Sequence, residues 1–249
     1  MYKLILCIYA CDTIPKYQDQ IFKVKETYEK TASELFPNDV KILFFLGEEV
    51  ILDDYNFIHL KGVKNDYLSA SYKQYHGLKY IYENYDAEFI IAVGTDTYIN
   101  IPKTLELLSN FDYNKSLYIG GYNDMRIVNF QWVEFFDGNG GVIITKEFLK
   151  AIYPIIKDVN KFMEDWIYIC SLNKNIDLKY GCDVSIACLA RDLKATYVKI
   201  EGINNIHHFK CDFEVIKNLN PVYTCANLTL EQFNEYTELL KENNYFLNE

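Results

Sequence analysis

Residues Phe89-Ile90-Ile91-Ala92-Val93 form an unbroken apolar run, and a single carboxylate, Asp96, follows three residues later. Successive side chains of an extended chain point to opposite faces, so such a run is apolar on both faces and needs cover on both. That requirement selects a central strand of a sheet flanked by helices, the α/β class. In open α/β sheets, ligands bind beyond the carboxyl ends of the strands, which is where Asp96 stands. Taken alone, the spacing serves equally well for a turn residue, or for a cap on the helix suggested by "IPKTLELLSNF".

The preceding residues repeat the theme. "KLILCIYA" and "VKILFFLG" read as buried strands, and "FIHLKGV" as a shorter one. Between them, Ile21, Val24, Tyr28, Ala32 and Leu35 share one helical stripe. Leu68, Tyr72, Tyr75, Leu78 and Tyr82 share another, with Asp66 as a candidate cap. Strand, helix, strand, strand, helix, strand is the order of an α/β nucleotide-binding half. Further on, "SLYIGGY", "GGVIIT" and "ATYVKI" are predicted strands. "KEFLKAIYPII" is a predicted helix ending at Pro154. "EDWIYICSLNK" and "CDVSIACLARDL" are two more helices, the second opened by Asp183. Thr229 and Gln232 have capping-box spacing before a last helix. The stretch holding Tyr122, Arg126, Trp132 and Phe135 reads as a loop. No linker, repeat or low-complexity tract divides the chain. The expectation is one domain over residues 1–249, with a nucleotide-binding half to about residue 110 and an acceptor-facing, catalytic half over about 111–249.

The formal net charge of −10 argues against a nucleic-acid partner, because phosphate backbones need clustered Lys and Arg. The seven cysteines are odd in number and contain no CxxC pair, which argues against a disulfide framework or a cysteine zinc site. The apolar N-terminus is too short to span a bilayer and lacks a small-residue cleavage site. A cytoplasmic protein with no membrane span is therefore expected.

There is no P-loop, and no GxGxxG follows the first strand. The loop after that strand carries Asp12, Thr13 and Lys16 but no glycine, so it can meet a base or ribose only through side chains. A diphosphate bound there needs another neutralising group, and a divalent metal on Asp96 supplies one. His207 and His208 are adjacent, so on extended chain only one of them faces a shared site. The glycines of "DGNGGVIIT" allow close backbone approach to a ligand, or simply form a turn. Asp183 is either a helix cap or a general base.

In chain order these pieces resemble the Fringe-like and β-1,3-glycosyltransferase group. Glu26-Thr27-Tyr28 is similar to its Glu-Thr-Trp. Asp66, Tyr67 and Lys73 are similar to its Asp-x-Tyr…Lys stretch, and "VGTDTYIN" stands at its three aspartates. "SLYIGGY", "GNGGVIITKEFL", "CDVSIACLARDL" and "IHHF" match later motifs. The resemblance implies a GT-A fold, a mixed and mostly parallel central sheet flanked by helices in a single domain. It also implies inverting transfer of a hexosyl or N-acetylhexosaminyl group from a UDP-sugar to a hydroxyl of a glycan, glycoprotein or other acceptor, assisted by Mn²⁺ or another divalent cation. Asp96 and His207 would hold the metal, with His208 as the alternative ligand, and Asp183 would be the base. Thr13, Lys73, Thr95, Asp96, Gly140 and Gly141 would contact the donor. Trp132 is an acceptor candidate, since aromatic faces suit sugar stacking.

The chain also departs from the pattern. Gly94 and Thr95 replace the first two aspartates, Ile14 an arginine, Cys182 the acid before Asp183, and Ala187 a glycine. The thinned acidic motif leaves two alternatives open, a non-catalytic sugar- or protein-binding module and a metal-independent transferase.

Overall fold

A computed structural model describes residues 1–172, 181–205 and 222–242. Its strands are β1 (Tyr2–Tyr9), β2 (Val40–Leu46), β3 (Phe57–His59), β4 (Ala87–Gly94), β5 (Tyr98–Ile99), β6 (Leu117–Gly120), β7 (Asn123–Val128), β8 (Gln131–Phe136), β9 (Val142–Thr145), β10 (Thr196–Lys199), β11 (Ile203–Asn205) and β12 (Thr224–Ala226). Seven of them make one sheet in the order β10-β6-β9-β4-β1-β2-β3. Strands β3, β2, β1 and β4 run parallel, β9 is antiparallel to both β4 and β6, and β10 pairs parallel with β6. Strands from before and after residue 110 thus share one sheet.

The apolar run behaves as its physics demands. Phe89, Ile91 and Val93 join the core on one face, and Ile90 joins the core on the other. In β1, Leu4, Leu6 and Ile8 take the first face while Ile5 and Cys7 take the second. Helices cover both sides. On one side lie α1 (Pro15–Val24), α2 (Lys30–Leu35), α4 (Ile101–Leu108) and a last described helix, Leu230–Glu242. On the other lie α3 (Ala70–Asn84), α5 (Lys146–Ile156), α6 (Val159–Leu172) and α7 (Cys182–Asp192). Among the described residues, no helix is long and apolar enough to cross a membrane.

Several local expectations need correction. The first helix begins at Pro15, where proline's missing N–H costs nothing. A π-turn, Lys25–Glu29, joins α1 to α2. Its i→i+5 bonding shifts the phase of the following turn, so Leu35 is exposed although Ile21, Val24, Tyr28 and Ala32 are buried. In α3 the buried face holds Ser71, Lys73, Gln74, Tyr75, Gly77, Leu78 and Ile81, while Leu68 and Tyr82 are exposed. The cause is Gly77, where a Cβ would lie 2.5 Å from Cys7 Sγ: the helix seats itself on the sheet at that glycine. Asp66 accepts from the Ser69 N–H and caps the turn before α3. Helix α5 runs through Pro154 to Ile156, because a proline in the last turn removes one bond only. The predicted loop around Trp132 is the hairpin β7–β8, turned at Asn129-Phe130, both left-handed (φ 49° and 61°). The Thr229–Gln232 capping box forms as expected, with reciprocal bonds of 3.0 and 3.2 Å.

Candidate active site

Beyond the carboxyl ends of β1 and β4 lies a cavity of about 340 Å³. Asp96, Thr95 and Gly94 line it from β4 and its loop, Tyr9 and Cys11 from the end of β1 and the loop after it, and Cys182 and Asp183 from the start of α7. Tyr17 and Tyr67 add rings stacked with centroids 6.0 Å apart and planes 11° apart.

Asp183 is held firmly. It is the second residue of α7, with Gly181 rather than Asp183 at the N-cap. Its Oδ1 accepts from the Val184 N–H at 2.8 Å, and its Oδ2 from the Gly138 N–H at 3.4 Å. Helix α7 is fastened to α3 by the Tyr75–Ser185 hydroxyl pair at 2.7 Å and by Gln74 Nε2 donating to the Cys182 carbonyl at 3.2 Å. Burial raises the Asp183 pKa, and the two backbone N–H donors only partly offset it. Asp96 stands across the same cavity.

Of the glycine turn, Gly138 and Asn139 line the cavity. Asp137 caps the Asn139 N–H, and Thr97 Oγ1 donates to the Asn139 carbonyl at 2.7 Å. Gly140 and Gly141 do not form part of the wall. The Gly140 carbonyl accepts from Thr224 Oγ1, and Gly141 adopts φ +90° against Ile91 and Val93. Gly141 is required there by its backbone conformation and packing, and the approach to the cavity is made by Gly138 and Asn139.

The expected donor-binding side chains divide. Thr95 lines the cavity, its hydroxyl donating to Gln20 Oε1 at 2.8 Å. Thr13 turns its hydroxyl to the Asn65 carbonyl at 2.6 Å and is not part of the wall. Lys73 is buried at the wall. Its ammonium donates to the Ala10 carbonyl (2.7 Å), the Asp66 carbonyl (2.9 Å) and Asn65 Oδ1 (3.4 Å), and burial lowers its pKa. Asn65 Nδ2 in turn donates to the buried Asp12 carboxylate, which also accepts from the Leu52 N–H at 2.7 Å. Lys73 thus ties the end of β1 to the segment before α3. Trp132 is exposed on the hairpin and does not line the cavity, whereas Phe135 is buried. His207 and His208 lie outside the described residues.

Tyr9 carried no motif and is the residue that sequence reasoning missed. Its only signal was its place as the last residue of a buried strand, next to the cavity.

A protein-family model described as Fringe-like matches residues 54–230. The structure is similar to a glycosyltransferase involved in glycosylation of the major capsid of PBCV-1, with TM-score 0.53 and 12% identity, covering 96% of this chain and 100% of that one. It is similar to the galactosyltransferase LgtC solved with donor and acceptor sugar analogues, with TM-score 0.52 and 12% identity, covering 98% of this chain and 100% of that one. It is also similar to the glycosyltransferase GlyE of Streptococcus pneumoniae TIGR4, with TM-score 0.52 and 12% identity; 97% of this chain spans 63% of GlyE. No curated protein matches the chain by sequence.

Proposed function

The chain belongs to the Fringe-like family, and on that premise we propose that it transfers a sugar from a UDP-sugar to an acceptor hydroxyl with inversion, Asp183 acting as general base. Its mixed, mostly parallel sheet between helices is the GT-A fold of glycosyltransferases. The observation that carries the reading is the pair of carboxylates, Asp96 and Asp183, facing one cavity at the carboxyl ends of the central strands.

Asp183 has the environment of a base. Its backbone donors fix its orientation, and burial strengthens its affinity for a proton. Taking the proton from the attacking hydroxyl as the bond to the anomeric carbon forms makes the acceptor oxygen a better nucleophile. The stacked Tyr17 and Tyr67 rings offer a π surface for the base of the nucleotide.

Charge supports a divalent cation as cofactor. The wall carries Asp66, Asp96 and Asp183, and among its described residues the cation is Lys73, already saturated by three oxygens. Among the described residues no three His, Cys, Asp or Glu side chains cluster as metal ligands. A single carboxylate still suits Mg²⁺ or Mn²⁺, which bind nucleotides through one or two carboxylates, waters and the phosphates themselves. Asp96 would be that ligand, with His207 the second by resemblance. Such a cation, when bound, neutralises the departing diphosphate.

The test is incubation with a panel of UDP-hexoses and UDP-N-acetylhexosamines, with Mn²⁺ or with chelator, measuring UDP release. Release from one donor that chelator suppresses is expected. Absence of release with every donor, together with no thermal shift by UDP, overturns the reading.

A further inference from the structure

Tyr9 ends β1 and lies in register with Gly94, which ends β4. A Cβ on Gly94 would stand 3.6 Å from Tyr9 Cε2 and 3.0 Å from Asp96 Oδ1, so the ring and the carboxylate border the same space beside the glycine. Tyr9 also shares the cavity lining with Cys182, the residue before Asp183. Tyr9 therefore lines the cavity together with both carboxylates. Its phenol hydroxyl carries one proton to donate.

If the diphosphate lies at Asp96 and the acceptor hydroxyl at Asp183, an in-line displacement puts the transferred sugar between them. Tyr9 lines the cavity that would hold that sugar. Resting on the donor reading above, we propose that Tyr9 contacts the transferred sugar and selects which donor sugars fit, its ring limiting bulk and its hydroxyl bonding a sugar oxygen. The glycine at 94 belongs to the same arrangement: a side chain there would compete with the Tyr9 ring and with Asp96 for one space.

The test is saturation-transfer NMR and competition binding of UDP, UDP-glucose and UDP-N-acetylglucosamine with Mg²⁺, on the native protein, Tyr9→Phe and Tyr9→Ala. Native protein should saturate sugar as well as uridine protons. Tyr9→Ala should keep the uridine signals, lose the sugar signals, and shift preference toward the bulkier N-acetyl donor by about tenfold, the range a pocket change of this size commands. Tyr9→Phe should weaken both UDP-sugars about fivefold to tenfold and UDP not at all, the loss of one hydrogen bond. Unchanged sugar signals and unchanged preference in Tyr9→Ala overturn the proposal. Should that variant fail to melt cooperatively, equal effects of Tyr9→Phe on UDP and UDP-sugars overturn it instead. Native protein that binds no UDP-sugar overturns the donor reading itself, a distinct result.

Discussion

The Gly138 N–H donates to Asp183 Oδ2 at 3.4 Å, and a Cβ at position 138 would stand 3.0 Å from Asp183 Cβ. The glycine turn and the carboxylate are therefore fitted to each other. Gly138 is not in the left-handed region, so alanine there acts through contact rather than backbone strain. Gly138→Ala should displace Asp183 by a few tenths of an ångström and cut turnover by up to about 10²-fold, as small misplacements of reacting groups do. Steady-state kinetics beside titration of UDP should show the loss in kcat, with UDP affinity retained.

Asp183→Asn should lower turnover by roughly 10²–10⁴-fold while leaving UDP affinity intact. The same burial has a stability consequence. The folded pKa lies above the unfolded one, so this group's contribution is fully present below the unfolded value and is lost as pH rises through the folded value. A desolvated carboxylate is a liability when ionised, and asparagine removes that charge, keeping the short Val184 bond through its one carbonyl oxygen and giving up the longer Gly138 bond. Asp183→Asn should therefore melt higher than native protein at neutral pH, with the advantage shrinking as pH falls toward the ordinary carboxylate range. The acid limb of the native rate profile should likewise sit above that range. Calorimetry across pH, with the rate profile, checks both.

Asp96→Ala should weaken UDP binding in the presence of Mn²⁺ by about tenfold to a hundredfold, the worth of one interaction with a charged group. With chelator present the native protein and the variant should bind alike. Titration calorimetry under the two conditions measures the difference, and equal affinities in Mn²⁺ would remove Asp96 from the metal site.

Lys73→Met should destabilise the fold by about 3–5 kcal/mol, because it strips a buried charge from a network and leaves the Ala10 and Asp66 carbonyls and Asn65 Oδ1 without that donor. Urea denaturation followed by circular dichroism gives this directly. A donor-binding lysine on a rigid scaffold would instead show a loss of UDP affinity at unchanged stability.

Lys73 and Trp132 show where residue type alone misleads. A lysine near a nucleotide cavity suggests phosphate contact, yet three oxygens of its own chain satisfy it, two of them main-chain carbonyls that no side-chain pattern reports. The aromatic content of 122–135 suggested a binding loop. Instead, alternation along β8 buries Val133 and Phe135 and leaves Trp132 in solvent, away from the cavity. The same limit applies to α3, whose buried face is set by the contact of Gly77 with Cys7 rather than by the tyrosine spacing.

What the sequence determined by itself was the sheet and the strand-end position of Asp96. Apolar runs need cover on both faces, and that constraint is local, written into each five-residue stretch. The motif order added the family and marked Asp183 as the residue to watch. Only the tertiary structure decided that Tyr9 shares a cavity with Asp96 and Asp183, that Gly138 rather than Gly140 or Gly141 meets the carboxylate, and that Lys73 is held by the scaffold. Several of those relations are long-range, Gly138 and Asp183 being 45 positions apart and Lys73 and Ala10 63. They arise from the register of β1 on β4 and the seating of α7 on α3, and no spacing along a single segment encodes either.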